Sequence, residues 1–273
     1  MWRLSLALFV ALIALPVLAT TKSDLVACDS KLPDIRINGC SALIRAGYGN
    51  DAGEKAPPYS NRADGYLARG EIDLAIADYE RAIRLWPTYW YYWVKLGLAE
   101  DKAGRRAEAI DSFTRASVFY PTSVEAFVNR GVDYDLAGNH DLALADFERA
   151  IQLDSKDPEA FNDRGYTLLG MGRLDEAIND LTTAINLNPN YVVAHNNRAW
   201  ALHLKNQDAA GLSDAEAAFR LGPNLPDSSW IRAAIYEGLD RRADAVKAYQ
   251  NALKIDPNNA FSKAALHRLT EAH

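Results

Sequence analysis

Five arginines stand at intervals that suggest paired chemistry: Arg62, Arg130, Arg164, Arg198 and Arg232. Four of them have an aspartate sixteen residues downstream, namely Asp78, Asp146, Asp180 and Asp214. A guanidinium fork and a carboxylate form two parallel hydrogen bonds when they meet edge to edge, so these spacings read as ion pairs between neighbouring helices. The position between Arg62 and Arg130 carries Leu96, and there Ser112 takes the place of the aspartate. Both partners change together, which favours a structural bridge over the other reading, a set of arginines for binding phosphate. Arg232 faces Ala248 at the same spacing, so in that case the pair is broken.

Cys28 and Cys40 are the only cysteines. The first nineteen residues have one charge, Arg3, then an apolar run from Leu4 to Leu18 and a small-residue site at Val17-Leu18-Ala19. That pattern reads as a signal peptide over 1–19, with an uncleaved anchor as the alternative. An exported chain sits where disulfides persist, so a Cys28–Cys40 bridge is expected. Leu25-Val26-Ala27-Cys28 also resembles the lipobox of bacterial lipoproteins, in which the cysteine is acylated, although Thr20 to Asp24 separate it from the apolar run. Thirty basic against 36 acidic residues give −6, and loss of Arg3 with the leader makes −7. Such a balance disfavours nucleic acid and anionic lipid as partners. A membrane association would need the uncleaved leader or a lipidated Cys28. The sequence leaves the oligomeric state open.

No catalytic constellation emerges, and no cofactor or metal is expected. Gly170-Met171-Gly172 is a lone Gly-x-Gly with no strand before it, which is too little for a nucleotide loop. His195 and His203 lie eight residues apart on a predicted helix, too far along it to share a metal, and read as ordinary helix residues.

The elements that must position these side chains follow a period of 34. Prolines recur at Pro87, Pro121, Pro189, Pro223 and Pro257, the skipped position being Ser155. Alanines keep step at Ala82, Ala116, Ala150, Ala184, Ala218 and Ala252, and two further registers of small residues start at Ala63 and Ala75. Small residues at fixed helical positions let helix axes approach, and a proline ends the helix it follows. A turn register holds Gly70, Gly104, Gly138, Gly172, Asn206 and Asp240, the residue types that best tolerate a left-handed helix C-terminus.

These units resemble the tetratricopeptide repeat (TPR) family. The second carries the pattern most fully, with Trp93, Leu96 and Gly97 on its first helix and Ala109, Phe113 and Ala116 on its second, before Pro121. Glu100 departs from the family's tyrosine, and the fifth unit is the weakest, with Gly211 and Ala215. The resemblance implies an all-α, right-handed superhelical solenoid of six helix-turn-helix units, 56–89, 90–123, 124–157, 158–191, 192–225 and 226–259. An N-terminal helical segment (20–48) with the cysteine pair and a linker (49–55) would precede them. A capping helix over 260–273, with Phe261, Ala265 and Leu269 as its apolar stripe, would close the array.

In such proteins the concave groove is lined by one stripe of each first helix. Carried onto this sequence, the stripe includes Tyr91, Tyr166, Trp200 and Trp230 as aromatic anchors, with Glu125, Asp135, Glu159, Asn162 and Asn196 among its polar members. It holds seven carboxylates and no lysine or arginine, which argues against capture of a peptide's terminal carboxylate. Asn61, Asn129 and Asn197 resemble the asparagine ladder with which some TPR grooves hold an extended backbone, interrupted by Asp163. The expected function is a non-enzymatic scaffold or adaptor of a Gram-negative cell envelope, exported to the periplasm, that binds an apolar or basic peptide or protein segment. Two other readings of the aromatics stand beside it: packing within the array, and a glycan-binding or envelope-assembly role.

Overall fold

The computed structural model describes residues 22–271, so the expected leader over 1–19 lies outside the described residues. Every regular element among them is a helix, and none is long and apolar enough to cross a membrane. The chain forms two compact units divided after Ala103, within the second sequence repeat.

The first unit contains α1 (Lys22–Cys28), α2 (Pro33–Arg45), α3 (Ala52–Lys55), α4 (Pro57–Ala68), α5 (Ile72–Leu85) and α6 (Trp90–Lys102). Pro33 and Pro57 open their helices, where a missing backbone N–H leaves no bond unmade. The stretch read as a linker carries one helical turn, α3, whose N-cap Asp51 accepts from the Glu54 amide. α1 packs on α2 and α2 on α4, and Cys28 and Cys40 form a buried disulfide between the first two helices. Its loop spans twelve residues of sequence separation, worth about 3 kcal/mol in the chain-entropy model. Because the Cys28 sulfur is bonded to Cys40, it leaves no thiol for acylation, which overturns the lipobox reading. The core collects Tyr79, Ala82, Ile83, Tyr92 and Leu96, with Trp86, Tyr89 and Trp93 packed against it.

The second unit contains α7 (Arg106–Phe119), α8 (Val124–Leu136), α9 (His140–Leu153), α10 (Pro158–Gly170), α11 (Leu174–Leu187), α12 (Val192–Leu204), α13 (Asp208–Leu221), α14 (Pro226–Gly238), α15 (Arg242–Ile255) and α16 (Ala260–Glu271). Consecutive helices pack pairwise, and α8, α10, α12 and α14 also meet one another in sequence, so first helices share one face. The small-residue registers are buried where helices cross. At Gly131, for example, a Cβ would lie 2.8 Å from the Phe147 ring, so only glycine lets α8 approach α9 this closely.

All six turn positions adopt the left-handed backbone: Gly70, Gly104, Gly138 and Gly172 have φ between 74° and 78°, and Asn206 and Asp240 sit at 57°. This conformation reverses the chain after each first helix and returns an amide to a carbonyl of its last turn, as Asn139 does to Tyr134 and Gln207 to Leu202.

The four arginine–aspartate pairs close within their helix pairs. Each guanidinium places Nε and Nη2 on the two oxygens of one carboxylate: 2.6 and 2.8 Å for Arg62–Asp78, both 2.7 Å for Arg130–Asp146, and 2.7 and 2.8 Å for both Arg164–Asp180 and Arg198–Asp214. Three of them gain a hydroxyl from the preceding helix pair: Ser41 for Arg62, Thr114 for Arg130 and Thr182 for Arg198. His195 also reaches Asp214, at 2.7 Å through Nδ1, while its Nε2 lies 3.0 Å from the Pro189 carbonyl. Both neighbours are acceptors, so the two ring nitrogens bond fully only as a protonated imidazolium. The Asp214 hydrogen bond accordingly raises the His195 pKa against the opposing effect of burial.

Candidate functional site

The shared face of α10, α12 and α14 carries a cavity of about 360 Å³. That lies at the low end of the range for small-ligand sites, enough for a few inserted side chains. Tyr166 enters it from α10, Asn196, Asn197 and Trp200 from α12, and Trp230 from α14. These five sequence-predicted residues are therefore brought together. Helical spacing explains the placement, because Asn196 and Trp200 are four residues apart on one face of α12.

The rings form a continuous wall. Trp200 and Trp230 meet edge to face with centroids 5.0 Å apart, and His203 stacks on the other indole neighbour, Trp200, also at 5.0 Å. Trp230 Nε1 donates to Asp227 at 2.8 Å, which fixes the indole and leaves its apolar face to the cavity. Trp200 and Trp230 are half-buried and pack in part on Ala199, Ala215, Ile231 and Ile235, whereas Tyr166 is 53% exposed and Val193 and Leu225 at the rim are exposed too.

Phe261 extends this wall, with its ring 5.3 Å from Trp230 and 6.2 Å from Trp200. Sequence reasoning assigned it to the apolar stripe of the capping helix together with Ala265 and Leu269. Ala265 is buried and Leu269 packs against α15, but Phe261 remains 45% exposed beside the tryptophans. It sits at the first turn of α16, where the helix passes the end of α14 rather than α15 alone. The signal that could have found it is an aromatic residue at the solvent-facing start of a helix meant to cap an array.

The asparagines divide in two. Asn197 Nδ2 donates to Asn162 Oδ1 at 3.1 Å, and Asn162 Nδ2 donates to Asp163 at 3.0 Å. Asn196 Nδ2 donates to Ser228, while its Oδ1 is buried with no donor among the described residues. An unmet buried acceptor costs about 1–3 kcal/mol. Asn61 is used differently: it donates to Asp29 at 2.9 Å and fastens α4 to the turn after α1. Asn129 donates to the Glu125 carbonyl of its own helix. The expected ladder is thus broken, with Asn61 and Asn129 engaged elsewhere.

Carboxylates border the cavity's side of the second unit. Glu125 and Glu159 are exposed, and Asp135 is held by His140 Nδ1 at 2.8 Å. Asp163 is pushed up to about 6, chiefly by burial, with Glu159, Asp157 and Asp135 adding repulsion against the opposing hydrogen bond from Asn162. A carboxyl in this position resists ionising alone and gains from an approaching cation.

Tyr91 belongs to the first unit. There its ring touches Tyr89 and Trp90 and lies under the Lys95 ammonium, 5.2 Å from the centroid. Lys95 also reaches Asp64 at 3.4 Å, and Asp64 accepts from the Tyr79 hydroxyl at 2.6 Å. The cation over the Tyr91 ring is thus provided by the chain itself.

Profiles of the tetratricopeptide repeat match residues 60–124, 124–157, 147–179 and 227–259, and a TPR repeat profile matches 170–206. No curated protein matches the chain. Among solved structures, a chain of the APC/C hetero-tetramer Cut9–Hcn1 is similar with a TM-score of 0.72 at 19% identity, over 93% of this chain and 52% of that one. This chain thus spans about half the length of that structure. A tetratricopeptide repeat protein from Parabacteroides merdae aligns with a TM-score of 0.71 at 16% identity, over 92% of this chain and 97% of that one. YrrB, described as a TPR protein with an unusual peptide-binding site, aligns with a TM-score of 0.55 at 18% identity, over 68% of this chain and 96% of that one.

Proposed function

We propose the following role for this chain, which belongs to the tetratricopeptide repeat family: a non-enzymatic scaffold of the cell envelope that seats an apolar, positively charged protein segment on the face shared by α10, α12 and α14. The observation that carries this reading is the cavity walled by exposed Tyr166 and half-buried Trp200 and Trp230, with Asn196 among its lining residues. Aromatic anchors dominate binding energy where they fill or form pockets. The carboxylates nearby, Glu159 and Asp163 above all, favour lysine or arginine in the same segment. YrrB, with its peptide-binding site, supports a peptide as the ligand by analogy of fold. The envelope assignment draws on the leader-like segment and on the Cys28–Cys40 disulfide, which persists in an oxidising compartment.

Selection of random displayed peptides on the whole chain tests the reading. The expected winners combine aromatic or aliphatic residues with lysine or arginine, and bind the W200A/W230A variant roughly thirtyfold more weakly, about 2 kcal/mol. Equal affinity for that variant, or selection of acidic peptides abolished by neither tryptophan, would reject it.

A further inference from the structure

The arginine that lost its aspartate marks a second site, independent of the aromatic face. Arg232 occupies on α14 the position that Arg198 holds on α12, and Ala248 on α15 stands where Asp214 would be. Its guanidinium has not found a replacement: it makes no hydrogen bond or ion pair among the described residues, and Nε is buried. The group lies flat on Phe219, with Cζ 3.4 Å from the ring centroid, and 5.8 Å from the Tyr236 ring. Stacking occupies its face and leaves its edge, the two-pronged fork of N–H donors, unused.

A cavity of about 370 Å³ is lined by Arg232, Ala248 and Asn251, by Asp244, and by two exposed lysines, Lys247 and Lys254. Two carboxylates are close, and both have other partners. Asp244 is held by Arg241 at 2.7 Å, and Glu216, sixteen residues before Arg232, accepts from the Tyr236 hydroxyl at 3.3 Å. The local balance therefore leaves three cations, Arg232, Lys247 and Lys254, around a space whose counterpart in four other helix pairs contains a carboxylate.

We propose that this cavity receives a carboxylate from outside the chain, bound edge-on by the Arg232 fork in the place that Ala248 vacates. The geometry required is already built four times in this molecule: a guanidinium on the first helix of a pair with both carboxylate oxygens at 2.6–2.8 Å. A planar carboxylate suits the fork better than a lone halide, and Lys247 and Lys254 add attraction at the mouth. The source is an acidic protein segment or a free dicarboxylate, which present the same group.

Arginine side-chain NMR on the whole chain decides the matter, with the Arg232 Nε–H resonance assigned by its loss in R232K. The probes are blocked hexaglutamate and, separately, succinate, at fixed ionic strength. The expected result is a saturable shift of the Arg232 signal by one or both probes, with a dissociation constant at least tenfold higher in A248D, whose own carboxylate fills the fork. Response to the peptide alone identifies a protein source, and response to succinate alone a free dicarboxylate. Folding of A248D is checked by its melting temperature, and R232K gives an independent arm read by isothermal titration calorimetry beside the wild type, because its reporter resonance is gone: charge retained without the fork should weaken the better probe at least tenfold. A shift that never saturates, or affinity unchanged in R232K, overturns the proposal.

Discussion

The two regions richest in aromatic side chains are built for opposite ends. Around the start of α6, Trp86 stacks on Tyr89 at 4.6 Å, Tyr89 meets Tyr92 edge-on at 4.7 Å, and Trp93 Nε1 donates to the Pro87 carbonyl at 2.7 Å. Tyr92 is only 4% exposed. On α12 and α14, by contrast, Trp200 and Trp230 meet edge to face and stay half-buried, and Tyr166 and Phe261 leave about half their surface to solvent. Aromatic density is equal or greater in the first region, so density does not mark a site. What matters is whether the rings satisfy one another.

The largest effect separating the two regions should come from Tyr92→Ala. Truncating a buried aromatic costs about 3–5 kcal/mol, because the surroundings collapse only partly into the space. Chemical denaturation followed by the first unit's tryptophans should register that loss, while a peptide selected on α10, α12 and α14 keeps its affinity. A drop in affinity equal to that of W200A/W230A would erase the distinction between a packed region and a binding region.

Much of this organisation is legible in the sequence because the repeats test one another. Six turn residues vary among glycine, asparagine and aspartate, and a single left-handed backbone accounts for them all. Leu96 and Ser112 replace a pair in step, which exposes the arginine–aspartate spacing as a contact without any relative to align. Contacts made outside the repeat register stay hidden. Phe261 joins Trp230 because α16 begins beside α14, and Asn61 meets Asp29 because α1 folds back on α4; neither partner is periodic. Tyr92 stands where smaller residues such as Ala126, Ala160 and Ala194 fill the register in other units, yet it is core here, packed with Tyr89 and Trp86.

A second, smaller effect sharpens the comparison at a single register. Trp93 and His195 are the same position of their units, three repeats apart, and both reach the carbonyl of the repeat proline. Only His195 titrates. Its folded pKa is raised, by the Asp214 hydrogen bond first, so the native state binds its proton more tightly than the unfolded chain does. The resulting stability is complete below the ordinary histidine value of about 6.5 and is lost as pH rises through the folded pKa. Unfolding free energy measured across that range should decline in the wild type and decline less in H195Q. A slope unchanged by the substitution would assign the pH dependence to another group.

The smallest effect concerns charge at the open face. Asp163 holds its proton up to about 6, above the ordinary carboxyl value of about 3.9, because burial and its acidic neighbours disfavour the anion. Between those values the native state binds more protons than the unfolded chain, so this residue's contribution to stability falls as pH rises through the window. Above pH 6 the face gains a negative charge that a bound lysine or arginine can meet. Affinity for a basic peptide should therefore rise roughly two- to fivefold between pH 5 and pH 7, the scale of a partly solvated ion pair. Asp163→Asn should flatten that rise and stabilise the fold at pH 7, because a neutral amide avoids the cost of the buried anion. If affinity climbs as steeply in the variant, the acid that recognises the cation is another carboxylate, Glu159 or Asp135, and Asp163 acts on stability alone.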